Sequence, residues 1–207
     1  MQDLNYVEYA RRGYVVMAIS MYGHGDSEVI ASNTWWNDEN NANGLYDAVK
    51  HVAKLPFVDA TRIGVTGHSN GALACREAVL QDAEGLIAAA LLVSNDAVYY
   101  DENGNFYNQF GSRDAAIIAC QYDEFFHRVN GAAPRDYMKQ VTAQSFLHFG
   151  EDPTGLDERE QHLFYERDGV IRAIFNPPIT HPWAHFSKAC VAFGVAFFDK
   201  ALDAANG

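Results

Sequence analysis

The chain has 207 residues, 48% of them hydrophobic, a composition that suits one globular domain with a sizeable core. Its formal net charge of −12, from 27 acids against 15 bases, repels phosphate backbones and anionic lipid surfaces, so no nucleic-acid partner is expected. No uninterrupted apolar run approaches the roughly 18 residues that span a bilayer. The start, Met1-Gln2-Asp3-Leu4-Asn5, lacks the basic and apolar regions of a signal peptide; a cytoplasmic location is favoured if the chain is complete.

In chain order, Asn5 to Arg12 reads as a short helix closed by Gly13. Tyr14 to Ser20 (YVVMAIS) is a β-branched apolar run, read as a strand, and residues 21–27 (MYGHGDS) form a loop. Trp36 to Leu55 carries apolar residues at helical spacing and stops before Pro56. Arg62 to Thr66 reads as a strand, Gly71 to Gln81 as a helix, and Leu86 to Ser94 as a strand buried on both faces. Ala115 to Gln121 and Val170 to Phe175 are two further strands, and Phe186 to Ala204 is a closing helix. Solid apolar strands separated by helices predict an α/β fold with a mostly parallel sheet covered on both faces. The interval 126–168 breaks this rhythm. Pro134 to Phe149 and Asp157 to Glu166 look helical, and we read the interval as a lid or packing excursion within a single domain, 1–207.

The cysteines, Cys75, Cys120 and Cys190, are odd in number and form no CxxC pair, which predicts small buried hydrophobes rather than a disulfide framework or zinc site. His181 and His185 are four apart, but Pro182 between them and the missing Glu make a poor metal motif. Asp101-Glu102-Asn103-Gly104-Asn105 has its glycine misplaced for a calcium loop. No metal and no cofactor is expected.

Gly67-His68-Ser69-Asn70-Gly71 fits G-x-S-x-G, between a predicted strand and a predicted helix. Such a turn strains the serine backbone, lifts Oγ above the sheet and aims a helix N-terminus at developing negative charge. The Asn70 N–H is the expected oxyanion donor.

These features resemble the α/β-hydrolase family of esterase- and lipase-like serine hydrolases. Residues 57–65 (FVDATRIGV) are similar to the family's lead-in to the serine turn, and residues 21–27 resemble its RGHGxS loop. Tyr22, Gly23, His24 and His68 are accordingly expected to bind substrate or brace the backbone near it. The resemblance implies the order serine, acid, histidine. Asp123, directly after a strand, is the expected acid, with Glu124 its rival. His181, in Asn176-Pro177-Pro178-Ile179-Thr180-His181, is favoured as the base over His185. The implied activity is cleavage of a small-molecule carboxylic ester by Ser69 through an acyl-enzyme. Peptidases and thioesterases use the same triad, and a catalytically silent binding protein is the alternative from another class. Aromatic residues Trp35, Trp36, Phe125, Phe126 and Trp183 suggest an apolar substrate or ordinary core packing.

The family's first strands, and the loop that supplies its second oxyanion N–H, have no counterpart here, and Ser20 stands where Asp is usual. Three explanations follow: a fragment of a longer chain, a partner that supplies the strands, or an oxyanion hole rebuilt from Gly23, His24 or another backbone N–H. An exposed sheet edge invites pairing, so a homo-oligomer is expected.

Overall fold

The computed structural model describes residues 4–28, 43–125 and 133–203. Helices α1 (Leu4–Ala10) and α2 (Leu45–Val52) precede strand β1 (Ile63–His68), helix α3 (Asn70–Gln81), and strands β2 (Ile87–Val93) and β3 (Asp114–Ile118). A 3-10 turn (Pro134–Lys139), helix α4 (Val141–Leu147), strands β4 (Phe164–Arg167) and β5 (Val170–Phe175), a second 3-10 turn (His181–Phe186) and helix α5 (Lys188–Ala201) follow. The sheet runs β1-β2-β3-β5-β4. Its first four strands are parallel, and β4 closes the far edge antiparallel to β5.

The central strands are solid apolar runs because both faces are covered. On β2, Ala90 and Leu92 join a cluster with α3 and α4 residues such as Cys75, Ala78 and Leu147. Ala89, Leu91 and Val93 join the opposite cluster with Cys190, Val191 and Phe197 of α5. The period of two along a strand thus divides one sequence between two cores. All three cysteines are buried and free, as expected.

Three expectations change. Tyr14 to Ser20 is not a strand: residues 15–19 make no backbone hydrogen bond to any described residue. Val15 is 59% exposed and Met17 52%. A strand needs a ladder partner whatever its propensity. Here a groove of about 360 Å³ is lined both by Val15, Val16 and Met17 and by β1 residues from Ile63 to Thr66.

The second change is at Asp157 to Glu166, where no helix forms. Phe164–Arg167 instead pairs with Val170–Phe175 across the two-residue turn Asp168-Gly169. Both turn residues have positive φ, 53° and 77°, the geometry that matches hairpin twist. The Asp-Gly pair was the signal for it.

Third, helical spacing from Trp36 yields α2 only over Leu45–Val52; residues 29–42 lie outside the described residues. In the excursion, Tyr137, Phe146 and Leu147 are buried core residues. Residues 126–132 of the same interval lie outside the described residues.

Candidate active site

Ser69 sits between β1 and α3 with φ 57° and ψ −114°, a conformation that L-residues avoid. The surroundings impose it. The Ser69 N–H donates to Val93 O at 2.8 Å, while its carbonyl accepts from Ala72 and Leu73 N–H at 3.0 Å, so the residue belongs to the strand on one side and the helix on the other. Gly67 makes the turn possible, because a Cβ there would collide with the backbone of Gly71. The reverse does not hold: a Cβ on Gly71 meets open space. Among the described residues none accepts from the Asn70 N–H, leaving it available at the first turn of α3.

The acid and the imidazole come from loops after β3 and β5, adjacent parallel strands. Their pairing continues past the sheet: Ala119 N–H donates to Phe175 O at 2.8 Å, Gln121 N–H to Pro177 O at 2.8 Å and Tyr122 N–H to Ile179 O at 3.1 Å. An isolated bridge joins Tyr122 to Thr180. These bonds carry Asp123 and His181 out side by side. His181 Nδ1 lies 2.9 Å from both carboxylate oxygens of Asp123, which is fully buried. A carboxylate accepts, so Nδ1 carries a proton, and the lone pair of the neutral ring sits on Nε2. The Phe125 N–H donates to Asp123 Oδ1 at 3.0 Å, and the Phe125 ring lies 4.3 Å from that of His181.

The other candidates separate from this pair. Glu124 is exposed. His185 lies on the same 3-10 turn as His181, with its Nδ1 buried and unpartnered among the described residues. Its ring packs on His68 at 4.7 Å and Phe186 at 4.0 Å rather than on Asp123. His68 is also committed. Its Nε2 lies 2.9 Å from the carbonyl oxygen of His181, and its ring centroid 4.6 Å from that of His181. Burial, then repulsion by His181 and His185, pulls its pKa down to about 4. No hydrogen bond among the described residues joins Ser69 Oγ to His181 Nε2. Catalytic hydrogen bonds of this kind are commonly long before substrate binds.

The glycine loop stands apart. The Tyr22 hydroxyl donates to Asp47 at 2.9 Å, and neither Tyr22 nor Gly23 bonds Ser69, Asp123 or His181. Gly23 N–H is spent on Glu28 O at 3.0 Å and His24 N–H on Met21 O at 2.9 Å. Neither is therefore free to be the second oxyanion donor. Of the five aromatic residues singled out, Phe125 touches the site and Trp183 is 61% exposed against Phe186, while Trp35, Trp36 and Phe126 lie outside the described residues. The sequence does not reveal the His68 contact, since the carbonyl it meets is 113 residues away. Among the described residues, no group of three or more His, Cys, Asp or Glu side chains could hold a metal ion. No helix among them is long and apolar enough to cross a membrane.

A family model described as X-Pro dipeptidyl-peptidase (S15 family) matches residues 1–164. Among solved structures, the chain is similar to the α/β hydrolase GrgF from Penicillium sp. sh18, with 12% identity and a TM-score of 0.52, over 89% of this chain and 78% of that one. It is also similar to the glucuronoyl esterase from Solibacter usitatus, with 13% identity and a TM-score of 0.45. That match covers 77% of this chain and 47% of the esterase, so the chain spans about half the esterase's length. A comparison with curated proteins gives no match.

Proposed function

Because the chain belongs to the X-Pro dipeptidyl-peptidase (S15) family and is a hydrolase of the α/β type, we propose that it cleaves carboxylic esters through an acyl-enzyme on Ser69. The observation that carries this reading is the buried Asp123–His181 pair beside the strained serine turn. His181 Nε2 takes the Ser69 proton as Oγ attacks the carbonyl carbon. Asp123 holds the ring tautomer and offsets the imidazolium charge. The Asn70 N–H donates to the tetrahedral oxyanion, and the alkoxide leaves with the proton that His181 returns. Water, deprotonated by the same nitrogen, then releases the acid and frees Ser69.

A peptide bond is the second reading, and the family's own description favours it. Amide cleavage uses the same groups but demands protonation of a poorer leaving group. Activity against p-nitrophenyl esters set beside X-Pro dipeptide anilides separates the two. Replacing Ser69 with Ala should remove turnover by at least about 10⁴-fold and abolish labelling by a fluorophosphonate, while circular dichroism stays unchanged. Failure of the wild-type protein to label would sink the enzyme reading and leave a ligand-binding module.

A further inference from the structure

The sequence suggests a substrate contact for His68; its surroundings assign it different work. Its ring packs against those of both His181 and His185, with centroids 4.6 and 4.7 Å away. Its Nε2 reaches the main-chain oxygen of His181 at 2.9 Å. A carbonyl only accepts, so Nε2 carries the hydrogen and Nδ1 the lone pair. That bond is a short circuit across the fold. His68 is the last residue of β1 and precedes Ser69, whereas His181 begins a 3-10 turn after β5, three strands away in the sheet order. The His181 ring is held from its other end by Asp123.

We propose that His68 is a positioning residue: through the His181 carbonyl it fixes the imidazole relative to the serine turn. The inference rests on the hydrolase reading above and adds a residue to it. Two anchors define the base. Asp123 sets the ring's tilt, and His68 sets where its backbone stands relative to Ser69. The titratable groups facing His68 are His181 and His185 on the 3-10 turn and Asp123 from the loop after β3. Burial, first, and the two neighbouring imidazoles keep His68 neutral at neutral pH, with a pKa lowered to about 4. A neutral clamp adds no charge to oppose the imidazolium formed during attack. Misplacing a catalytic group by about 1 Å costs up to roughly 100-fold in rate, so a single such bond matters for turnover more than for affinity.

Two substitutions split the ring from its donor. His68→Phe keeps the packing against the imidazoles and loses the hydrogen bond; His68→Gln keeps an N–H able to reach the carbonyl and loses the ring. With a p-nitrophenyl ester, His68→Phe should lower kcat roughly tenfold with KM changed by less than about twofold, and His68→Gln should recover kcat to within about threefold of wild type. The low-field proton resonance of the His181–Asp123 hydrogen bond should shift in His68→Phe and return in His68→Gln. This readout needs no turnover, so it tests the positioning role even if wild-type labelling fails and the hydrolase reading falls. Unchanged kcat and an unchanged resonance in His68→Phe would overturn the proposal. So would a rise in KM alone, which marks a substrate contact, or no recovery in folded His68→Gln.

Discussion

At the scale of single residues, the serine turn is asymmetric in what it requires. Gly67 and Gly71 look equivalent in the sequence, yet only the position of Gly67 is closed to a side chain, by the backbone of Gly71 itself. Gly67→Ala should therefore destabilise the fold by roughly 2 kcal/mol or more, since neither backbone can move without breaking the β1–α3 connection. Gly71→Ala, on the first turn of α3 with open space around its Cβ, should be neutral or stabilising by up to about 0.5 kcal/mol through helix propensity. Urea midpoints of the two variants check the contrast; equal losses would show that the glycines share one role. The motif was legible from the residue string because a strained turn needs particular residue types at fixed offsets. Which glycine bears the contact was not, since the answer depends on how strand and helix converge.

At the scale of elements, Tyr14 to Ser20 shows the difference between propensity and structure. Its β-branched residues favour extended backbone, but no described residue offers residues 15–19 a ladder partner and no strand forms. Among the described residues β1 pairs with β2 along one side alone. The groove lined by both segments leaves two rows of backbone donors and acceptors for water or another strand. Amide hydrogens of residues 15–19 should exchange close to the unfolded rate while those of β2 and β3 stay protected. The same exposed edges predict self-association, and sedimentation at rising concentration tests it. Strong protection of residues 15–19 in a monomer would contradict both expectations. The hairpin at Asp168-Gly169 teaches the opposite lesson. Two turn residues outweighed an apparent helical spacing over Asp157 to Glu166, because positive φ at both positions fixes the chain reversal.

At the scale of the whole molecule, buried neutral imidazoles couple stability to pH. Half-buried His68 and buried His148 both have their pKa lowered, in each case chiefly by burial, and for His68 the value is about 4 against 6.5 for an unperturbed histidine. Between those values the unfolded chain binds more protons than the native one, so stability is complete above about pH 6.5 and is lost progressively as pH falls toward about 4. His68 alone accounts for up to about 3 kcal/mol of that loss. Urea unfolding of the wild type between pH 7.5 and 4.5 should show the decline, and His68→Phe, which cannot take up the proton, should show a shallower one. Identical slopes would mean that His68 is not half-buried and neutral as the structure has it.

The sequence by itself determined the parallel α/β architecture and the serine turn. Strand burial on both faces and the strained turn each leave a local signature in residue type and spacing; Asp123 was marked by its place just past a strand end, and His181 by the resemblance to the α/β-hydrolase order of serine, acid and histidine. Tertiary structure alone decided that Asp123 bonds His181 and not His185, that His68 bonds the His181 backbone, and that residues 15–19 find no backbone partner among the described residues. The reason is common to all three: each depends on the relative position of segments remote in sequence, and hydrogen bonding across such distances is set by how the sheet is ordered rather than by any residue's own preference.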